Sequence, residues 1–309
     1  MNQIKPQRIT VLKGGPGSER TISHASAKAV VAALRELGLD VTEVDVTDPG
    51  FELPVDTELV FNIIHGTYGE DGQLQCELEK RGVPYTGEGV LGSELAFDKL
   101  KSKARFIERG VPTPRFEIVP AGQAPKMPVP YVIKAPCEGS SVGVFIVKTE
   151  AEAAPAIEGA AKFAKELLVE QFVEGRELTV GIIADQALPI IEIRPRTGFY
   201  DWTNKYPFLD PTGKGGADHY CPAALDAATT ALVQQIALAA KDALDLQVYS
   251  RVDLLLPADG QPVVLEINTI PGMTESSLVP EAAKKAGIPM PQLLQRVIEL
   301  SLTARPPRE

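Results

Sequence analysis

Short apolar runs alternate along this chain with longer segments of helical periodicity. RITVLK at 8–13 reads as a buried strand and is followed by the turn GGPGSER. SHASAKAVVAALRELG at 23–38 repeats its apolar positions at helical spacing and stops at Gly38, as a glycine after the last periodic residue predicts. LDVTEVDV (39–46) and ELVFNII (58–64) are the next strands, QLQCELEKRG (73–82) a short helix and VPYTG (83–87) a further strand or turn. Strands alternating with helices predict a parallel α/β sheet over about residues 1–95. SELAFDKLKSKARFIERG (93–110) predicts one helix. The Pro-rich stretch at 111–130 then marks a composition shift, which puts a boundary near 95–100. Segments 130–136, 142–149, 167–173 and 177–183 read as strands around a helix at 151–166. Residues 196–221, rich in Gly, Pro, Asp and aromatics, predict a long loop of the kind that serves function. Helices follow at 224–245 and 288–304, with no internal repeat, and the tail RPPRE is expected to fray.

The richest chemistry lies between the last two helices. VYSRVDLLL (248–256) and PVVLEIN (262–268), joined by ADGQ, read as a hairpin. Strand side chains alternate faces with period two, so Arg251 shares a face with Asp253, and Glu266 with Asn268. Two carboxylates and an amide oxygen side by side suit Mg²⁺, which keeps waters and binds substrate phosphates. A solvated outer face is the plainer alternative. The ending Thr-Ile-Pro-Gly-Met-Thr is an unusual finish for such a strand.

Composition narrows the partners. The chain has 309 residues and a net charge of −10, with 41 acidic against 31 basic residues. That field disfavours nucleic acid and anionic membrane. The three cysteines, Cys76, Cys137 and Cys221, form no metal or redox spacing, so reduced thiols are expected. No apolar signal core or membrane-length run occurs, and a cytoplasmic location is expected.

Three glycine-containing loops carry candidate chemistry. Gly14-Gly15-Pro16-Gly17-Ser18-Glu19-Arg20 sits where a dinucleotide fingerprint would, but Arg20 replaces its third glycine, which argues against a nicotinamide site. Glu19 there either binds an amine or helps cap the helix. Glu138-Gly139-Ser140-Ser141-Val142-Gly143 joins two strands and can lay amides over phosphates, with Lys134 on the incoming strand as an anion clamp. A plain hairpin turn is the alternative. His65 opens HGTYGEDG at the carboxyl end of a strand, where ligands bind in open α/β sheets. A ligand contact and a structural role are both open for it.

Together these residues resemble the D-alanine–D-alanine ligases of the ATP-grasp superfamily. The matching blocks are GGPGSERTIS, HGTYGEDGQLQ, PYTGEGVLGSELAFDK, EGSSVG, VEQFVEGRELTV, FYDWTNKY, SRVD and LEINTIPGMTESSLVP. They cover Gly14 to Leu278 in the family's order. The resemblance implies an α/β (α+β ATP-grasp) fold: an N-terminal α/β substrate domain at 1–97, an ATP-grasp lid at 98–183 and a catalytic domain at 184–309. It implies ATP-dependent joining of two D-alanines through an acyl phosphate, for peptidoglycan. It further implies Asp253, Glu266 and Asn268 as ligands of two Mg²⁺ ions, with Mn²⁺ as a substitute. Lys99, Lys134 and Ser141 would hold the phosphates; Glu170, Val173 and Glu177 would line the adenine and ribose pocket. Glu19 would bind the first ammonium with His65 nearby, and Ser140 and Tyr206 would complete a closing triad with Glu19. Arg251 and Gly272 would stabilise the oxyanion; Lys205, Ser277 and Leu278 would hold the second carboxylate. A homodimer is the family's usual form. Trp202 stands where the family more often has Tyr, and its ring is expected to pack similarly; the segment after Tyr206 is longer and richer in glycine than in many relatives, which leaves the closed-loop geometry and any part for His219 open.

Overall fold

The computed structural model describes residues 6–198, 200–206 and 214–305. β1 (Arg8–Gly14) and α1 (Arg20–Glu36) open the fold, followed by β2 (Asp40–Val46), β3 (Leu59–Asn62) and α2 (Gln73–Arg81). The strands form a parallel sheet in the order β2-β1-β3. Ile9, Val11, Leu12, Leu59, Val60 and Phe61 are all buried, as strands covered on both faces require. VPYTG resolves as a turn with one parallel bridge, Tyr85 to Val60.

The single helix expected at 93–110 is two, α3 (Val90–Phe97) and α4 (Lys99–Glu108). Asp98 adopts an extended conformation between them, and its side chain accepts from the amides of Leu100 and Lys101. An aspartate cap outweighs continuous periodicity here. The break places Lys99 at the start of α4, where its amide donates to Pro136 O at 3.1 Å.

β4 (Phe116–Pro120), β5 (Tyr131–Lys134), β6 (Val144–Val147), α5 (Glu150–Ala160) and β7 (Glu166–Gln171) make an antiparallel sheet, β4-β7-β5-β6, under one helix. Its small core joins Val119, Ile133, Val147 and Val169 to Ile157 and Ala160. β4 lies inside the Pro-rich stretch. It survives because it is an edge strand with Pro120 at its last position.

The third sheet comprises β8 (Arg176–Ile183), β9 (Gln186–Ala187), β10 (Ile191–Pro195), β11 (Ala217–Tyr220), β12 (Tyr249–Leu256) and β13 (Val263–Asn268). Its order is β11-β10-β8-β12-β13, with β9 beside β8. By pairing, β8 belongs with these strands although it precedes the expected 183/184 boundary. α6 (Trp202–Lys205) and β11 occupy part of the expected loop at 196–221. Residues 207–213 of its Gly-rich segment lie outside the described residues, as does 306–309 of the tail. α7 (Ala227–Ala243) covers one face of this sheet, with Ala96, Phe106 and Val111 in the same core. α8 (Leu278–Lys285) and α9 (Met290–Ala304) join the other face to α1 and the first sheet. Among the described residues, no helix is long and apolar enough to cross a membrane.

Candidate active site

The β12–β13 hairpin has the expected face. Arg251 pairs with Asn268 and Asp253 with Glu266, with a register shift only after Asp253. Arg251 grips Asp253 through Nε to Oδ1 at 2.9 Å and Nη2 to Oδ2 at 2.8 Å. Thr179, the register neighbour of Asp253 on β8, donates to Oδ1 at 2.6 Å. Glu266 Oε2 meets Lys99 Nζ at 3.1 Å, and Asn268 Oδ1 accepts from the Ile270 amide at 2.9 Å. Burial opposes the Glu266 charge, yet Lys99, then Lys205 and Lys134, hold its carboxyl far below the usual range. Burial likewise opposes the Arg251 charge, but Asp253 raises its guanidinium further above its ordinary value.

Among the described residues no three His, Cys, Asp or Glu side chains gather into a metal cluster. The donors are two carboxylates and one amide oxygen, each carboxylate partnered by a cation of the chain. That set fits a hard divalent ion whose remaining ligands are water and phosphate, and it does not form a protein-only cage.

Three distant segments meet at Glu19. The Ser140 hydroxyl donates to Glu19 Oε1, and Ser140 Oγ lies 2.9 Å from Tyr206 OH. With the serine proton committed to the carboxylate, the phenol donates to the serine. Burial first, then the Glu19 charge, pushes the Tyr206 phenol well up. Ser140 and Ser141 adopt positive φ values of 50° and 63°, a cost for non-glycine residues that aims Ser140 at Glu19 and lets Ser141 Oγ donate to Tyr200 O at 3.0 Å. A Cβ on Gly139 would lie 2.5 Å from Glu19 Oε2, so glycine lets the loop approach this closely. The Trp202 ring meets Tyr206 edge-on at 4.7 Å.

His65 reaches the same cavity, but both ring nitrogens already have protein partners. Nδ1 lies 2.8 Å from Ile270 O and Nε2 3.0 Å from Ser26 Oγ, while the Met273 amide donates to Ser26 Oγ at 3.3 Å. A carbonyl only accepts, so Nδ1 carries a proton. Burial lowers the imidazole, but Glu70 and Glu19 bring it above its ordinary value. Of the two roles left open for His65, this geometry favours the structural one: it holds the 270–273 turn. That turn carries Gly272, where a Cβ would lie 2.9 Å from Ser277 Oγ. Ser277 precedes α8 without capping it by its side chain, and its Oγ accepts from the Thr274 amide at 3.0 Å. The α8 N-terminus, beginning at Leu278, therefore keeps N–H groups for an anion. Lys205 Nζ sits 5.1 Å from the Tyr200 ring centroid. His219 reaches the cavity from β11 and pairs with Glu281 at 2.9 Å.

Glu19, Ser140, Tyr206, Lys205, Arg251, Gly272, Ser277 and Leu278 line this one cavity with Lys99, Glu266 and Asn268. Asp253, Lys134, Ser141, Glu170, Val173 and Glu177 stand outside its walls. Asp253 backs Arg251. Lys134 pairs with Glu170, whose other oxygen lies 2.6 Å from Lys103 Nζ. Burial opposes the Glu170 charge, but the two lysines keep its carboxyl below the ordinary range. Lys103, one helical turn after Lys99 on α4, joins this buried cluster without having been singled out in the sequence. Ser26 and Glu70 carry no signal there.

Glu177 stands differently. Burial, with the charges of Asp253 and Glu266, outweighs Lys205 and pushes its carboxyl from 4.5 up to about 7. Between these values the folded state keeps a proton that the unfolded chain has lost, so stability falls as pH rises through the window. Glu177→Gln is expected to stabilise the nucleotide-free protein by about 1–2 kcal/mol near pH ~8 and by almost nothing near pH ~4. Urea melts at the two pH values check this; an equal effect at both contradicts it.

A family model described as D-ala D-ala ligase C-terminus matches residues 114–299. The D-alanine–D-alanine ligase of Methylacidiphilum infernorum (isolate V4) is 47% identical over 301 residues, covering 97% of each chain. That of Citrifermentans bemidjiense is 41% identical over 306 residues, also covering 97% of each. Among solved structures, the Bacillus anthracis D-alanine–D-alanine ligase complexed with ATP superposes with a TM-score of 0.84 at 33% identity, covering 97% of this chain and 98% of that one. The VanG D-Ala:D-Ser ligase of Enterococcus faecalis gives 0.81 at 25% identity, covering 96% and 100%. The fold is the expected one, an N-terminal parallel α/β sheet followed by the two-lobed ATP-grasp. Matched along nearly its whole length, the chain belongs to the D-alanine–D-alanine ligase family.

Proposed function

We infer that this chain joins two D-alanines into D-alanyl-D-alanine with conversion of ATP to ADP and phosphate, the dipeptide serving peptidoglycan synthesis. The observation that carries the site assignment is the Glu19–Ser140–Tyr206 chain of hydrogen bonds. It closes the lid glycine loop and the 200–206 segment over an anion placed to receive an ammonium group.

A carboxylate is a poor electrophile. Its oxygen attacks the γ-phosphorus of ATP, ADP leaves, and the resulting acyl phosphate is attacked at carbon by the second amine. The nitrogen, neutral when it attacks, loses a proton as phosphate departs with the bridging oxygen and the amide forms. Glu19 holds the first ammonium group. Arg251, locked by its fork onto Asp253, and the Gly272 amide meet the oxyanion of the tetrahedral intermediate. Lys205, Ser277 and the Leu278 amide hold the second carboxylate, so the two reactants are oriented before chemistry begins. Closure of the Ser140 loop excludes the water that would hydrolyse the acyl phosphate. Lys99, Lys134 and the backbone at Ser141 take the phosphates; Glu170, Val173 and Glu177 take the adenosine. Asp253, Glu266 and Asn268 would hold Mg²⁺, or Mn²⁺ in its place, which supplies charge neutralisation on the phosphates. The same reading makes the enzyme a cytoplasmic homodimer, in the compartment that supplies ATP.

The test offers ATP and Mg²⁺ with D-alanine, alone and against D-serine or D-lactate, and identifies products by mass. D-Alanyl-D-alanine should dominate each mixture. Depsipeptide or D-alanyl-D-serine as the main product would overturn the nucleophile assignment. Tyr206→Phe removes the hydroxyl that donates to Ser140 while the aromatic packing on Trp202 stays. It should lower kcat/KM for D-alanine about tenfold and raise the depsipeptide share when D-lactate is present. An unchanged rate and product ratio would remove Tyr206 from the closing chain.

A further inference from the structure

Lys103 is a lysine with no solvent exposure, and none of the roles above uses it. It stands one helical turn after Lys99 on α4. Its ammonium has three oxygen partners: Glu170 Oε1 at 2.6 Å, Thr113 Oγ1 at 2.5 Å and Val264 O at 3.1 Å. These partners belong to three different parts of the molecule. Glu170 is on β7 of the lid sheet. Thr113 lies in the connection that leads from α4 into that sheet. Val264 is on β13, two residues before Glu266. The connection is itself fastened to β13, since Thr113 Oγ1 donates to Val264 O at 2.8 Å and the Val264 amide donates to Pro112 O at 2.8 Å. One ammonium therefore ties the lid sheet, the α4–β4 connection and β13 together.

The charges are as informative as the contacts. Glu170 is 1% exposed and is the single anion between two lysines, Lys103 and Lys134. Burial and the Lys134 charge, against the pull of Glu170, push the Lys103 amine down to about 8, which leaves it largely protonated at neutral pH. The two lysines flank Glu170 on opposite oxygens as ion pairs, while among the described residues its buried Oε1 has no hydrogen-bond partner and keeps acceptor capacity for a ligand amine. Held by Lys103, Glu170 stays ionised and oriented, and Lys134 is not its only counter-charge. Lys134 is then available to a phosphate, and the buried excess of positive charge suits a polyanion.

We propose that Lys103 is a positioning residue for nucleotide recognition: it fixes Glu170 as the acceptor for the adenine amine and, by sharing that carboxylate, frees Lys134 for the phosphates. This rests on the reading that Glu170 faces adenine. The readout is base selectivity, the ratio of kcat/KM for ATP to that for inosine triphosphate, which has an oxygen in place of the amine. A part that only stabilised the fold would lower both values together.

Four proteins make the test: wild type, Lys103→Met, Glu170→Gln and the double variant. Lys103→Met should raise the KM for ATP about tenfold, lower the ATP preference about tenfold and shift the KM for D-alanine less than about twofold. Glu170→Gln should lower the preference at least as far, and adding Lys103→Met to it should lower it no further. Retention of the preference in Glu170→Gln would overturn the adenine reading. Its loss there but retention in Lys103→Met would overturn the role of Lys103 alone. An equal further loss in the double variant would show that Lys103 does not act through Glu170. Should Lys103→Met not fold, Thr113→Val carries the test. It removes one partner of the ammonium without leaving a buried charge unpaired, and should lower the ATP preference about two- to threefold. An unchanged preference there overturns the proposal.

Discussion

Glu266→Gln should lower kcat about a thousandfold, because a divalent ion on the phosphates contributes several kcal/mol of charge stabilisation and loses an anionic ligand. The substitution preserves side-chain size and the backbone pairing of Asp253 with Glu266, so the hairpin should keep its register. Glu266 is the anion nearest Lys99, at 3.1 Å, and it also faces Lys205 and Lys134. Its loss should therefore shift the Mg²⁺ concentration for half-maximal rate upward as well as depress the plateau. Steady-state rates over a Mg²⁺ titration check both. A plateau near that of wild type would remove Glu266 from the metal site.

Arg251→Lys should lower kcat and kcat/KM for D-alanine together, by about 10²–10³-fold, the cost of losing one preorganised oxyanion donor. An Arg-to-Lys change is conservative in charge only. Arg251 is aimed by two parallel hydrogen bonds to Asp253, and a lysine cannot reproduce that fork. Thr179 fixes Asp253 from the neighbouring strand, so the aim derives from the sheet and not from the loop above it. The KM values for ATP and D-alanine should move little, because the lost interaction exists only in the transition state. A rise in KM at constant kcat would make Arg251 a ground-state binding residue instead.

The faces of the hairpin are legible from sequence because Arg251, Asp253, Glu266 and Asn268 alternate with apolar residues, and a one-residue slip would turn the apolar set to the other face. The pairs Arg251–Asn268 and Asp253–Glu266 agree with that face, while the register shift after Asp253 has no signal in the sequence. The helix at 93–110 is misread for a local reason: the apolar period runs through Asp98, but the side chain of Asp98 satisfies two amides and starts a new helix. β4 is hidden by the prolines around it, which an edge strand tolerates. β10 and β11, absent from the sequence reading, take their strand identity from pairing with β8 and each other, a long-range effect with no local signature. The closing chain is legible only through the family motifs, since Glu19, Ser140 and Tyr206 are far apart in sequence and nothing local brings them together. His65 shows the limit most clearly. Its place at a strand's carboxyl end is readable, but its partners Ile270 and Ser26 lie 205 and 39 residues away.

The proposed route activates a D-alanine carboxylate by phosphorylation inside this cavity. D-Alanine labelled with ¹⁸O in its carboxylate should, on turnover with ATP, deliver one labelled oxygen to each inorganic phosphate released, with one ADP per dipeptide. Dipeptide formed with unlabelled phosphate would contradict the acyl-phosphate route, and ADP release without D-alanine dependence would contradict the ligase itself.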